Sequence, residues 1–255
     1  MENDQNQTQI DPFKEAMSRR IGYDFVDDGT PLGGLNPHNG YYSETGLVLF
    51  QKIRDLLQIN KSDRVLEVGC GTGRVSTPFA KYIGKNFSGF DVNTKFIDYC
   101  HNIGGNFSHI DIFHPDWNPN GKVSPDEVVL PFSFNKFTAI YAVGVFNHLH
   151  FRWFQRYIEE FARILPRGGR IFFTLVVAKE PIGRETPPFF FEHRDDIEWY
   201  DYRDKPLYNI AFSEQKIRKL LINNRFMISE PIKFGSWNRS PIAITNYDVI
   251  VAHKR

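Results

Sequence analysis

The chain has 255 residues with 31 basic and 30 acidic side chains, a net charge of +1, and 41% hydrophobic residues. That length supports one sizeable core, and the near-neutral balance offers none of the basic field that nucleic-acid binding needs. No apolar run approaches a membrane span and the first residues are polar, so a cytoplasmic protein with no membrane or nucleic-acid partner is expected.

Residues 1–18 are polar with little apolar periodicity and read as a disordered or loosely attached N-terminus, leaving 19–255 as a single domain. Within 19–60, the stretch from Gly22 to Tyr42 mixes turn formers with aromatics and predicts a lid over a ligand. A helix follows, with Leu47, Phe50, Ile53, Leu56 and Leu57 at helical spacing. Tyr41 and Tyr42 read equally well as lid residues or as anchors of that helix. Strands near 64–68, 86–90, 106–110, 138–143 and 170–176 then alternate with helices near 74–83, 94–103 and 151–165, the pattern of a parallel sheet. A last helix from Ser213 to Asn223 and strands near 227–234 and 247–252 end the chain.

The run Val65-Leu66-Glu67-Val68-Gly69-Cys70-Gly71-Thr72-Gly73 writes a buried strand into a turn whose glycines let a ligand approach the backbone. Asp91 ends the next strand about twenty residues on, where a carboxylate accepts from ribose hydroxyls. A dinucleotide site spaces its glycines G-x-G-x-x-G and receives a pyrophosphate. Here the spacing is G-x-G-x-G, and Glu67 at the strand end disfavours a pyrophosphate but suits the ammonium and sulfonium of S-adenosylmethionine.

On these residues the chain resembles the class I S-adenosylmethionine-dependent methyltransferases, of the small-molecule type, well over 45–175 and more loosely elsewhere. The resemblance implies a doubly wound α/β fold with a mostly parallel seven-stranded sheet whose last strand is antiparallel. It also implies a cofactor site made by Glu67, Gly69, Gly71, Gly73, Asp91, Asp111, Ile112 and Val143. Asp111 falls where a carboxylate meets the adenine amino group, and Ile112 where a backbone N–H meets the ring. One departure is Thr138, which stands where the family commonly has an aspartate after the phenylalanine opening the fourth strand.

The insertion 177–212 is too long for a bare connection and predicts an aromatic substrate cap, with Trp199 and Tyr200 binding the methyl acceptor. It reads alternatively as a structural cap or a homo-oligomer contact. Gly235-Ser236-Trp237-Asn238 is a weaker addition to the same pocket. His148 follows the fourth strand at the carboxyl edge of the sheet and is the expected general base, with Asn147 beside it. His193 in the cap competes for that role, while His150 should point elsewhere if the turn is helical. Cys70 and Cys100 have neither metal-ligand nor disulfide-framework spacing, and no metal site is expected. The expected reaction is O-methylation of a sugar or natural-product hydroxyl. N-methylation of an amine or peptide is the alternative enzyme, and an adenosyl-ligand-binding interaction protein the alternative of another class.

Overall fold

A computed structural model of the chain describes residues 40–178, 191–193, 197–201, 207, 209–229, 231–236 and 245–255. The tail and lid before Gly40, residues 187–190, Trp237, Asn238 and the side chains of Tyr41 and His193 lie outside the described residues. Among the described residues no helix is long and apolar enough to cross a membrane.

Five parallel strands form the centre: β1 (Val65–Val68), β2 (Phe87–Asp91), β3 (Asn106–His109), β4 (Ala139–Ala142) and β5 (Arg170–Ala178), ordered β3-β2-β1-β4-β5. β1 and β4 are buried throughout, which their apolar runs require of strands covered on both faces. Toward the C-terminus, β10 (Asp248–Lys254) pairs antiparallel with β5 and with β9 (Phe226–Ile228), completing the expected seven strands. Three further strands extend this sheet from the insertion: β6 (Phe191–His193), β7 (Glu198–Asp201) and β8 (Ile210–Ser213). β5 is long enough to serve both neighbours. Its residues 170–175 pair with β10, and Val176–Ala178 pair in parallel with β8.

Helices cover both faces. α1 (Gly40–Leu56) and α2 (Ser76–Ile83) bury Leu49, Phe50, Ile53 and Phe79 against Val65, Phe87 and Tyr141. α3 (Thr94–Cys100) packs through Ile97 and Cys100 on Cys70. On the opposite face, α4 (Phe151–Ile164) and α5 (Glu214–Asn223) pack Phe154, Phe161 and Leu221 against Leu66, Ile140 and Phe173. One detail of the helical reading is corrected: Leu47 is 49% exposed and Leu49 is buried. Docking Phe50 edge-on to Phe79 turns the Leu49–Phe50–Ile53–Leu57 stripe inward and leaves Leu47 on the outer flank.

Thr138 explains how the sheet manages without the family's aspartate. Its hydroxyl donates to Asp63 Oδ1 at 2.7 Å and accepts from the Arg64 N–H at 3.0 Å, while Asp63 also pairs with Arg170 at the start of β5. The carboxylate has moved to the neighbouring strand entrance.

Gly46 lies inside α1, where an exposed glycine-to-alanine change ordinarily stabilises by up to about 1 kcal/mol. Here a Cβ would collide with the Arg74 carbonyl, because α1 crosses the backbone at the end of the glycine turn. Gly46→Ala is therefore expected to lower the melting temperature, by the ~1–3 kcal/mol typical of overpacking. A thermal melt showing a more stable variant would contradict this packing.

Candidate functional site

The order of the sheet reverses between β1 and β4: β1 leads outward to β2 and β3, while β4 leads the other way to β5. Ligands of open α/β sheets bind in the crevice at the carboxyl ends of such strands. The Gly69–Gly73 turn leaves β1 there, and residues 143–150 leave β4 opposite it. Gly69 and Gly73 both have positive φ, and a Cβ on them would strike Val145 and Ile103 respectively. The turn is thus wedged between the loop after β4 and the segment after α3.

Asp91 braces this turn. Its Oδ2 accepts the Gly71 N–H at 2.8 Å and its Oδ1 accepts the Asn93 N–H at 2.9 Å, so one carboxylate joins the loops after β1 and β2. Burial pushes its carboxyl up to about 6, although those N–H donors pull the other way. Glu67 is deeper. The hydroxyls of Ser76 and Tyr141 both donate to its Oε2, the latter at 2.8 Å, and burial raises its carboxyl to about 8. The sequence hides these two donors, because Tyr141 sits in an otherwise apolar strand. The signal was the register: Glu67 and Tyr141 are partners across β1 and β4.

Tyr42, at the start of α1, reaches the same turn. Its hydroxyl lies 3.0 Å from Thr72 Oγ1 and its burial raises the phenol to about 12. This tyrosine is buried at the start of α1 while its hydroxyl touches the glycine turn.

Asp111 and Ile112 lie after β3 on the same rim. Asp111 Oδ1 accepts from Asn118 at 3.1 Å, and the Ile112 N–H, expected to face the adenine, donates to the Ile110 carbonyl at 2.7 Å. Val143 borders the α1–α2 cluster just past β4. His114, which sequence reasoning passed over, is buried nearby and its Nε2 lies 3.0 Å from the His148 carbonyl oxygen.

His148 ends a short 3₁₀ turn, Phe146–His148, and both its ring nitrogens are engaged. Nδ1 lies 3.2 Å from the Leu207 carbonyl and Nε2 lies 3.1 Å from Asn147 Nδ2. Because a carbonyl only accepts, Nδ1 carries the proton and Nε2 accepts from the amide. Asn147 is fully buried, and its Nδ2 also reaches Asn209 Oδ1 at 3.4 Å, which accepts from Tyr247. The expected base is held in a polar clamp between the loop after β4 and the segment before β8.

The cap residues divide by face. Trp199 is buried with Val176, Phe191 and Ala211, which corrects its expected role: it is core of the cap. Glu198 and Tyr200 project to the other side, toward α4. Glu198 accepts from the Phe151 N–H and the Tyr200 hydroxyl, and His150 Nδ1 lies 3.3 Å from its Oε2. His150 was expected to point away on the premise of a helical turn. The 3₁₀ turn stops at His148, and Leu149 and His150 are extended, so α4 starts afresh with His150 at its N-cap.

No cluster of three or more His, Cys, Asp or Glu with metal-binding proximity occurs among the described residues. The protein is 25% identical over 158 residues to 27-O-demethylrifamycin SV methyltransferase of Amycolatopsis mediterranei, covering 59% of this chain and 55% of that protein. It is 24% identical over 178 residues to methyltransferase GfsG of Streptomyces halstedii, covering 65% and 60%. The chain thus spans little more than half the length of these relatives. The fold is similar to the crystal structure of Burkholderia thailandensis 1,6-didemethyltoxoflavin-N1-methyltransferase, with a TM-score of 0.55 and 15% identity over 83% of this chain and 79% of that one. A family model described as a methyltransferase domain matches residues 41–225, and with the glycine turn at the β1–β4 reversal it shows that the chain belongs to the methyltransferase domain family.

Proposed function

We propose that this protein is an S-adenosylmethionine-dependent methyltransferase acting on a hydroxyl of a small natural product. The observation that carries the cofactor is the pair of buried carboxylates, Glu67 and Asp91, on either side of a turn whose glycines leave the backbone open to a ligand. Such a site suits a cationic nucleoside and repels a pyrophosphate. Asp91 retains acceptor capacity for ribose hydroxyls beyond its bonds to Gly71 and Asn93. Glu67 lies beneath the turn for the ammonium end, Asp111 and Ile112 form the adenine rim, and Val143 opens the loop that faces the glycine turn. When bound, the cofactor supplies a methyl group on a sulfonium.

The hydroxyl reading rests on histidines gathered at the carboxyl edge. An oxygen acceptor must shed a proton, and His114, His148 and His150 all stand on the rim where acceptor and cofactor would meet. One of the two relatives supports a hydroxyl acceptor of this kind, being named for methyl transfer to 27-O-demethylrifamycin SV. The protein should work without a metal, because nothing in the described rim supplies a ligand set.

Calorimetry should show binding of both S-adenosylmethionine and S-adenosylhomocysteine, weakened in Asp91→Ala by the ~1.5–3 kcal/mol of hydrogen bonds to a charged group. Tight binding of NADH with neither adenosyl ligand would overturn the cofactor reading. Labelled methyl from the cofactor should appear as a methyl ether on a demethylated polyketide probe such as 27-O-demethylrifamycin SV, with turnover kept in chelator.

Glu67 gives a second check. With its folded carboxyl raised to about 8, the free protein holds that proton at neutral pH, and binding a cation should release it. Titrations at pH 7 in buffers of different ionisation enthalpy should report this release, and Glu67→Gln should abolish it. Without ligand the sign is opposite to that of a salt-bridged acid. The stability contributed by protonated Glu67 is present at low pH and lost as pH rises from the ordinary carboxylate range through about 8, so Glu67→Gln should flatten the fall of melting temperature over that window.

A further inference from the structure

We propose that His150, oriented by Glu198 and Tyr200 of β7, takes the proton from the acceptor hydroxyl, a role that rests on the hydroxyl methylation proposed above. Three observations lead to it. His148 is clamped, with Nδ1 on the Leu207 carbonyl and Nε2 under the Asn147 amide. For that ring to take a proton at Nε2, the buried Asn147 amide would have to turn over against Asn209.

His150 has the complementary arrangement. Its Nδ1 lies 3.0 Å from the Tyr200 hydroxyl and 3.3 Å from Glu198 Oε2. Tyr200 spends its own proton on Glu198, so both neighbours of Nδ1 present lone pairs. Nδ1 therefore carries the hydrogen and Nε2 carries the lone pair. Nε2 makes no hydrogen bond among the described residues, and the His150 side chain is 23% exposed, enough for a ligand to reach it. The edge-on contact with Trp153, 4.8 Å between centroids, restrains the ring from turning.

Glu198 is built for the task. Burial raises its carboxyl, but the bonds from His150, Tyr200 and the Phe151 N–H outweigh it and hold it below its ordinary range. It stays ionised, stabilising an imidazolium beside it, and it also caps the N-terminus of α4. Among the described residues the other titratable group facing His150 is His114, from the loop after β3, which burial keeps below its ordinary range. Among the described residues no second cation crowds the imidazolium at neutral pH.

The step balances simply. The acceptor O–H bond breaks with its proton going to His150 Nε2. The oxygen lone pair forms the new O–C bond while the S–C bond breaks, its electrons leaving on a neutral thioether. The proton then passes to solvent.

The test has an arm that needs no acceptor. Nitrogen NMR of the protein with ¹⁵N-histidine should show neutral His150 as the Nδ1–H tautomer, and Glu198→Gln should loosen that preference. A neutral Nε2–H tautomer at His150 would overturn the proposal. In the kinetic arm, with the demethylated polyketide probe, His150→Gln should bind cofactor normally and lose about two to four orders of magnitude in kcat. His148→Gln should lose less than about tenfold, and Tyr200→Phe should shift the acidic limb of the pH profile while keeping the wild-type melting temperature. Full activity in His150→Gln overturns the proposal. Failure of the hydroxyl reading is seen separately, as a wild-type protein that makes no methyl ether.

Discussion

The bond from the Gly71 N–H to Asp91 is the constraint on which the candidate site depends. A glycine turn is entropically expensive to order, and the glycines of this one carry no side chains to anchor it. Asp91 supplies the anchor from the adjacent strand, and Val145 and Ile103 close on the two glycines that flank it. The same carboxylate is the proposed ribose partner, so one side chain shapes the turn and reads the ligand. Burial in that arrangement is also what raises its carboxyl to about 6. Glu67 carries the same logic further, with hydroxyls from α2 and β4 sharing a carboxyl group that burial raises to about 8.

Much of the fold was legible because period and punctuation agreed. Strands β1, β2 and β4 announce themselves as apolar runs that close on Gly69, Asp91 and Gly144, and all five parallel strands lie within a few residues of their expected places. The glycine spacing and Asp91 placed the turn for the same reason: they are local signals. What escaped depends on faces and partners that no single stretch records. Trp199 and Tyr200 are neighbours in sequence but point to opposite sides of β7, one into the cap core and one toward α4. His150 faces Glu198 because the 3₁₀ turn ends at His148 and the next two residues are extended, with ψ of 147° and 150° where a helix would hold it near about −42°.

The polar contacts around the rim share a further property. Leu207 to His148, Asn209 to Asn147, and Glu198 to His150 each run from β7 or the stretch between it and β8 to the loop after β4. They are spread over a span of twelve residues on one side and four on the other. Such contacts are cooperative, because each amide, ring or carboxylate fixes the donor pattern of the next. Removing one leaves the others buried without their partners, which makes the rim a unit rather than a set of independent groups.

The shared strand β5 sets a rule for grafting. Because its first six residues belong to the ladder with β10 and its last three to the ladder with β8, the insertion is not an ornament hung from a loop. A cap transplanted from a relative would have to present a strand in register with Val176–Ala178 and deliver a helix N-terminus partner to Phe151. Chimeras joined inside the insertion, between β6 and β7, would preserve both seams and exchange only what lies between them.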